Sequence, residues 1–201
     1  GLSEQIVKQH QAGVPIFGIC GGFQILGRRL VDGVESGIDE MAGLNLLDCT
    51  TTFARQKITT QVNGYIHPHV HGLFSPCQTA AVSGYEIHMG ETERGEGVQP
   101  FTVIRSRNQQ TTHFDDGAIN AAGSVAGTYI HGIFDSPEFT RTLLNQLRQQ
   151  KDLAPLAATA FNYQAYKSKQ FDLLADAMRE NINIEQIYHI MKQQEQNRSA
   201  V

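Results

Sequence analysis

The sequence has no apolar run long enough to span a membrane, and nothing in it reads as a secretory leader, so neither a membrane protein nor an exported one is expected. No G-x-x-x-x-G-K-[ST] occurs, so no P-loop is visible in these residues. Long basic runs are missing too. Lys and Arg number 16 against 20 Asp and Glu, for a net charge of −4, which argues against nucleic acid as the main partner. Cysteine is scarce: Cys20, Cys49 and Cys77 are odd in number and widely spaced, and fit neither a disulfide framework nor a zinc knuckle. A reducing cytoplasm is the expected setting. What the chain does have is 40% hydrophobic residues over 201 positions, enough for one domain with a proper core.

The chain is organised around the segment from Gly13 to Gly27. Val14 to Ile19 reads as a buried parallel strand, and Phe23, Ile25, Leu26 and Leu30 follow with helical spacing. Between them, Gly18-Ile19-Cys20-Gly21-Gly22 makes a strand–tight turn–helix pattern with Cys20 at its apex, the arrangement of a nucleophile elbow. Gly18 and Gly22 permit a sharp turn and a close approach of strand to helix. A helix N-terminus beside Cys20 is expected to favour its thiolate, and the Gly21 N–H is expected to face a developing oxyanion. The plainer alternative is a tight turn carrying a small buried cysteine.

Leu2 to Ala12 reads as a helix stopped by Gly13. An α/β alternation that opens on a helix lacks its first strand, so the sequence is expected to be a piece of a longer polypeptide. Asp39 to Gly43 is a connection; Asn45 to Phe53 and Lys57 to Tyr65 read as strands. His67, His69 and His71 alternate beside Cys77, which raises a metal site, but Pro68 and Gly72 favour a solvated loop and no acidic residue joins them, so no metal is expected. Gly84-Tyr-Glu-Ile-His-Met-Gly90 is strand-like, with Glu86 and His88 on one face. Phe101 to Ser106 is another strand, Asp115-Asp116-Gly117 a turn, and Ala118 to Asn120 is expected to pair with Val125 to Ile130. Ser136 or Asp135 caps a helix with Pro137 at its first position. Tyr163 to Glu180 and a helix capped by Asn183 follow, with apolar stripes read as core contacts, and the polar tail from Gln193 is expected to fray.

A cysteine nucleophile needs a base. His131 is the best placed of the eight histidines, since it ends an apolar strand and precedes Gly132; strand ends are where α/β sheets gather their sites. His88 is its rival, whereas His10, His113 and His189 read as surface residues.

At these motifs the chain resembles a known family. Gly18-Ile-Cys-Gly-Gly-Phe-Gln24 is similar to the nucleophile segment of class I (triad) glutamine amidotransferases. Gly84 to Gly90 and Gly127-Thr-Tyr-Ile-His-Gly-Ile-Phe-Asp135 resemble cobyric acid synthases more specifically, as does Phe161 to Met191. The resemblance implies an α/β fold of the class I glutaminase (flavodoxin-like) kind. This is a mostly parallel sheet flanked by helices, with added β-hairpins and a helical C-terminal tail, and its N-terminal strand would lie upstream of these residues. It implies a single glutaminase-like domain over 1–201: a catalytic part to about 152, a helical extension to about 193 and a frayed tail at 194–201. It also implies a second oxyanion donor from an upstream glycine-containing loop.

The resemblance further implies a glutaminase with no cofactor of its own, partnered by an ATP- and Mg-dependent N-terminal synthetase domain. That domain would amidate the b, d, e and g carboxylates of adenosylcobyrinic acid a,c-diamide. Carried over by motif, Cys20 is the nucleophile and His131 the acid/base. Gly21, Gln24, Glu86 and His88 are then expected at the L-glutamine substrate. One departure stands out: triad glutaminases carry Glu two residues after the catalytic His, and here that place is Ile133. Cobyric acid synthases commonly lack this Glu. Glu86 and Asp135 are the candidates to orient His131. Another elbow-type cysteine hydrolase and a non-catalytic docking module are the competing readings.

Overall fold

The computed structural model describes residues 1–34, 37–157 and 163–199. The chain forms two compact units, residues 1–158 and 159–201. In the first, helix α1 (Leu2–Gln11) ends where Gly13 takes a φ of +83°, a conformation glycine adopts without strain. Strand β1 (Ile16–Ile19) leads into α2 (Gly21–Leu26), which has only six residues. The helix expected to continue through Leu30 stops at Gly27, and Leu30 belongs to β2 (Arg29–Val31). Next come β3 (Glu40–Ala42), in the stretch expected as a connection, and β4 (Cys49–Ile66), one 18-residue strand where two were expected. The boundary read between those two strands survives as an irregularity in the ladder between Phe53 and Ile58. A 3-10 turn at Gly72–Cys77 precedes β5 (Ala81–Arg94). Then follow β6 (Val98–Gln99), β7 (Thr102–Arg107), β8 (Gln110–Asp116), β9 (Ala118–Asn120), β10 (Val125–Thr128), β11 (Ile130–His131) and α3 (Pro137–Gln149), capped by Ser136.

These strands make two mixed sheets flanked by helices. The smaller has the order β1-β10-β9-β6; the larger runs β11-β5-β4-β2-β3, with β7 also on β4 and β8 on β7. Among the described residues, β1 with β10 and β2 with β4 are the parallel pairs. The parallel part is therefore smaller than expected. The segments read as added hairpins are long enough to build a sheet of their own, in which β4 and β5 pair antiparallel over most of their length. The single run expected from Val125 to Ile130 is also divided. The chain leaves the smaller sheet at Thr128 and enters the larger one at Ile130, with Tyr129 between. Ile130 packs in a core with Val62, Phe101, Ile119, Ala126 and Phe139, while Tyr129 packs in a second core with Phe23, Leu26 and Cys49.

The second unit holds α4 (Tyr163–Asn181) and α5 (Ile184–Ser199). Asn183 caps α5 as expected, accepting the Gln186 N–H at 3.0 Å. Helix α5 extends past Gln193, where the polar tail begins; its Lys, Gln and Glu residues are good helix formers. The stripes read as core contacts are exposed, Phe171, Leu174, Met178, Ile187, Tyr188 and Met191 among them. Residues 158–162, between α3 and α4, and 200–201 lie outside the described residues. Among the described residues no helix is long and apolar enough to cross a membrane.

Candidate active site

The elbow forms as a strained turn. Cys20 caps α2 with φ 53° and ψ −116°, a region that side-chain-bearing residues rarely enter and that costs about 1–3 kcal/mol. The turn is tight enough to require Gly18, where an added Cβ would lie 2.6 Å from the Gly22 carbonyl oxygen. Cys20 is anchored by its N–H, which donates to the Thr128 carbonyl at 2.9 Å. Its thiol donates to the Ile87 carbonyl of β5 at 3.5 Å. Burial raises the thiol pKa, and the hydrogen bond from the Gly21 N–H offsets this only in part. Burial therefore works against the thiolate that the helix N-terminus was expected to favour. Cys49 and Cys77 lie deeper, and burial pushes them up to about 12 and about 11.

His131 enters from the larger sheet. It sits opposite Tyr85 on β5, and Ile130 sits opposite Glu86. The Cys20 thiol meets β5 two residues further on, at Ile87, a step of about 7 Å along a strand. The nucleophile at the end of one sheet and the base at the end of the other therefore converge on one stretch of β5. The His131 Nε2 is shielded from solvent and has no hydrogen-bond partner among the described residues.

Register sets Glu86 apart from His131. Residues directly opposite on an antiparallel pair share a face, so His131 lies on the face of Tyr85, and Glu86 on the other. The Glu86 carboxylate is also fully engaged. It takes Arg107 Nε at 2.8 Å and Nη2 at 3.1 Å and the Thr60 hydroxyl at 3.2 Å, while His88 Nε2 lies 3.8 Å away, beyond hydrogen-bond distance. Burial pushes its pKa up, but the contacts to His88 and Arg107 outweigh that and leave it lowered. Asp135 follows His131 by four residues. Its N–H donates to the Gly132 carbonyl at 2.8 Å, and its carboxylate would lie 3.6 Å from a Cβ added at Gly132.

Gln24 and His88 also face inward. The Gln24 amide donates to the Tyr129 hydroxyl at 3.3 Å. That hydroxyl bonds Thr92 Oγ1 at 2.6 Å. The His88 ring stacks on Tyr129 at 3.8 Å, and its Nδ1 meets the Gly90 carbonyl at 2.7 Å, so Nδ1 carries a proton. A cavity of about 260 Å³ opens on this side, lined by Glu86, His88, Arg107, Asp116 and Tyr129 among others. His131 thus lies on one face of β5 and Gln24, Glu86 and His88 on the other, while Cys20 meets the strand at the backbone carbonyl of Ile87. Of the three histidines after β4, His67 and His69 have ring centroids 5.1 Å apart, while His71 turns to backbone carbonyls. His71 Nε2 contacts the Asn120 and Ala121 carbonyls, both at 3.0 Å, and no cluster fit for a metal occurs among the described residues. Motif reading missed the Ile87 carbonyl, Thr60, Arg107 and the Asp116–Thr128 pair, which reach the site through pairings between distant segments.

The cobyric acid synthase of Photorhabdus laumondii is 54% identical over 192 residues, covering 96% of this chain and 38% of that protein. The cobyric acid synthase of Yersinia enterocolitica is 48% identical over 199 residues, covering 99% and 39%. The chain therefore spans under two fifths of the length of these relatives. Among solved structures, PurLQS from Thermotoga maritima aligns with a TM-score of 0.49 and 18% identity, over 73% of this chain and 68% of that one. Residues 1–139 match the CobB/CobQ-like glutamine amidotransferase domain. With that match over more than half its length, the chain belongs to the CobB/CobQ-like glutamine amidotransferase family.

Proposed function

We propose that this chain is the glutaminase part of a cobyric acid synthase acting in cobalamin biosynthesis. Cys20 attacks the side-chain amide carbon of L-glutamine after His131 takes the thiol proton. The Gly21 N–H stabilises the oxyanion, and His131 returns the proton to departing ammonia. The γ-glutamyl thioester left on Cys20 is hydrolysed by water that His131 activates, releasing glutamate. Because the resting thiol is raised rather than lowered, His131 has to generate the thiolate at the moment of attack. Gln24, Glu86 and His88 serve this site from behind β5 by bracing the strand that Cys20 and His131 share.

Ammonia then passes to a synthetase domain in the remaining length of such a polypeptide. There ATP with Mg activates the b, d, e and g carboxylates of adenosylcobyrinic acid a,c-diamide. The unpaired Cys20 suits a reducing cytoplasm.

The observation that carries the reading is the strained Cys20 elbow docked on Ile87, two residues along β5 from the position facing His131. The test is Cys20→Ala in the intact polypeptide. Glutamine-dependent amidation should vanish while amidation driven by free ammonia persists. Loss of both, in a folded protein, would refute the role given to Cys20. Turnover of peptides or esters without glutamate release from glutamine would favour a different cysteine hydrolase.

A further inference from the structure

Where a chain leaves one ladder for another, its backbone N–H groups lose their regular partners and need others. That happens between Thr128 and Ile130, and two buried side chains meet the need. Thr128 Oγ1 donates to Asp116 Oδ2 and accepts the Ile130 N–H at 3.1 Å. Asp116 Oδ1 accepts the Tyr129 N–H at 3.3 Å, and Oδ2 also takes the Thr102 hydroxyl at 2.9 Å. The Thr128 carbonyl meanwhile holds the Cys20 N–H. Thr128 and Thr102 are 0% exposed and Asp116 is 5% exposed. One residue thus grips the nucleophile through its carbonyl. Through its hydroxyl it fixes the step that delivers His131.

We infer that Asp116 and Thr128 are positioning residues for glutamine hydrolysis, setting His131 relative to Cys20 without touching the substrate. The inference rests on the glutaminase reading above. A purely structural account leaves the choice of groups unexplained. Burying a carboxylate is costly, and a neutral acceptor would satisfy the Tyr129 N–H without that cost. What the carboxylate adds is direction, because it binds one N–H and two hydroxyls in fixed positions. An Asn side chain that kept its oxygen on the Tyr129 N–H would turn its amide to the two hydroxyls, which would then have to accept where they now donate.

The experiment compares Thr128→Val, Thr128→Ser and Asp116→Asn in the intact polypeptide, with Cys20→Ala alongside. It reads glutamate release, amidation driven by ammonia and the rate of Cys20 alkylation by iodoacetamide. Thr128→Val keeps shape and volume and removes only the hydroxyl. It and Asp116→Asn should lower kcat roughly 10- to 100-fold, the scale of a small misplacement of reacting groups, with KM for glutamine little changed and ammonia-driven amidation intact. Thr128→Ser should retain most of kcat. If Asp116→Asn fails to fold, the Thr128→Val and Thr128→Ser pair decides. Normal kcat in Thr128→Val, or a fall no larger than its loss of folded protein, overturns the inference. Should Cys20→Ala still release glutamate, the glutaminase reading itself fails; should Cys20→Ala be inactive while Thr128→Val is normal, only the positioning role fails.

Discussion

Cys20 is distinguished from the other two cysteines by access rather than by a depressed pKa. All three thiols are raised, but Cys49 and Cys77 are 2% and 0% exposed, whereas Cys20 is only partly covered. A glutamine-like electrophile should label Cys20 first. With His131 replaced by Ala, labelling should climb only at pH above the ordinary thiol range, because burial has moved the thiolate upward. A His131→Ala protein labelled as fast at neutral pH as the parent would show that His131 does not generate the thiolate.

The Glu86–Arg107 pair sets a second expectation at this scale. The Glu86 side chain is 2% exposed and that of Arg107 34%, so the two partners do not lose equally. Arg107→Met strands a buried carboxylate and should cost about 3–5 kcal/mol in urea unfolding; Glu86→Gln leaves an arginine that reaches water and should cost less. The pH dependence follows from the lowered Glu86 pKa. Its contribution is complete above the unfolded-state value and is lost as pH falls through the lower folded one, so Arg107→Met should blunt this acid-side loss. Cys20 and His131 were legible in the sequence because each sits in a short contiguous motif. The partners of Glu86 were not, because Thr60 and Arg107 lie 26 and 21 residues away and arrive only through strand pairing.

Among the elements, β5 serves the site most directly. It offers its Ile87 carbonyl to Cys20, holds β11 in register, and turns Glu86 and His88 to its far side. Its approach to β11 depends on Gly84, where an added Cβ would run into the His131 carbonyl oxygen and lie 2.6 Å from Ile130 Cγ2. Gly84→Ala should therefore push β11 away and lower kcat roughly 10- to 100-fold, while ammonia-driven amidation stays near normal. Unchanged kcat would mean that the two strands separate without disturbing His131. Sequence reading located most of these strands, since β-branched and aromatic runs bounded by Gly and Asn are a local signal. It did not show that β4 is continuous, or that the run after Ser124 divides between two sheets. Both depend on which remote segment each residue pairs with. Asp116 shows the limit plainly: beside Gly117, at φ +72°, it reads as a turn residue, yet its carboxylate lies buried under the step to β11.

At the scale of the whole molecule, the site is divided between two ladders, with Cys20 at the end of one and His131 in the other. A strand alternates its side chains with a period of two, so the number of residues between the ladders has a parity. Tyr129 alone fills that gap. If the ladder held its alignment, one residue inserted beside Tyr129 would turn the imidazole to the Glu86 side of β5, whatever its chemical nature. Two would restore the side but carry the ring about 7 Å along the strand. Glutamate release should be lost in both insertions, with Cys20 still open to alkylation. The count of residues here is thus a determinant of activity in its own right, and an insertion or deletion at Tyr129 should do more harm than any substitution there.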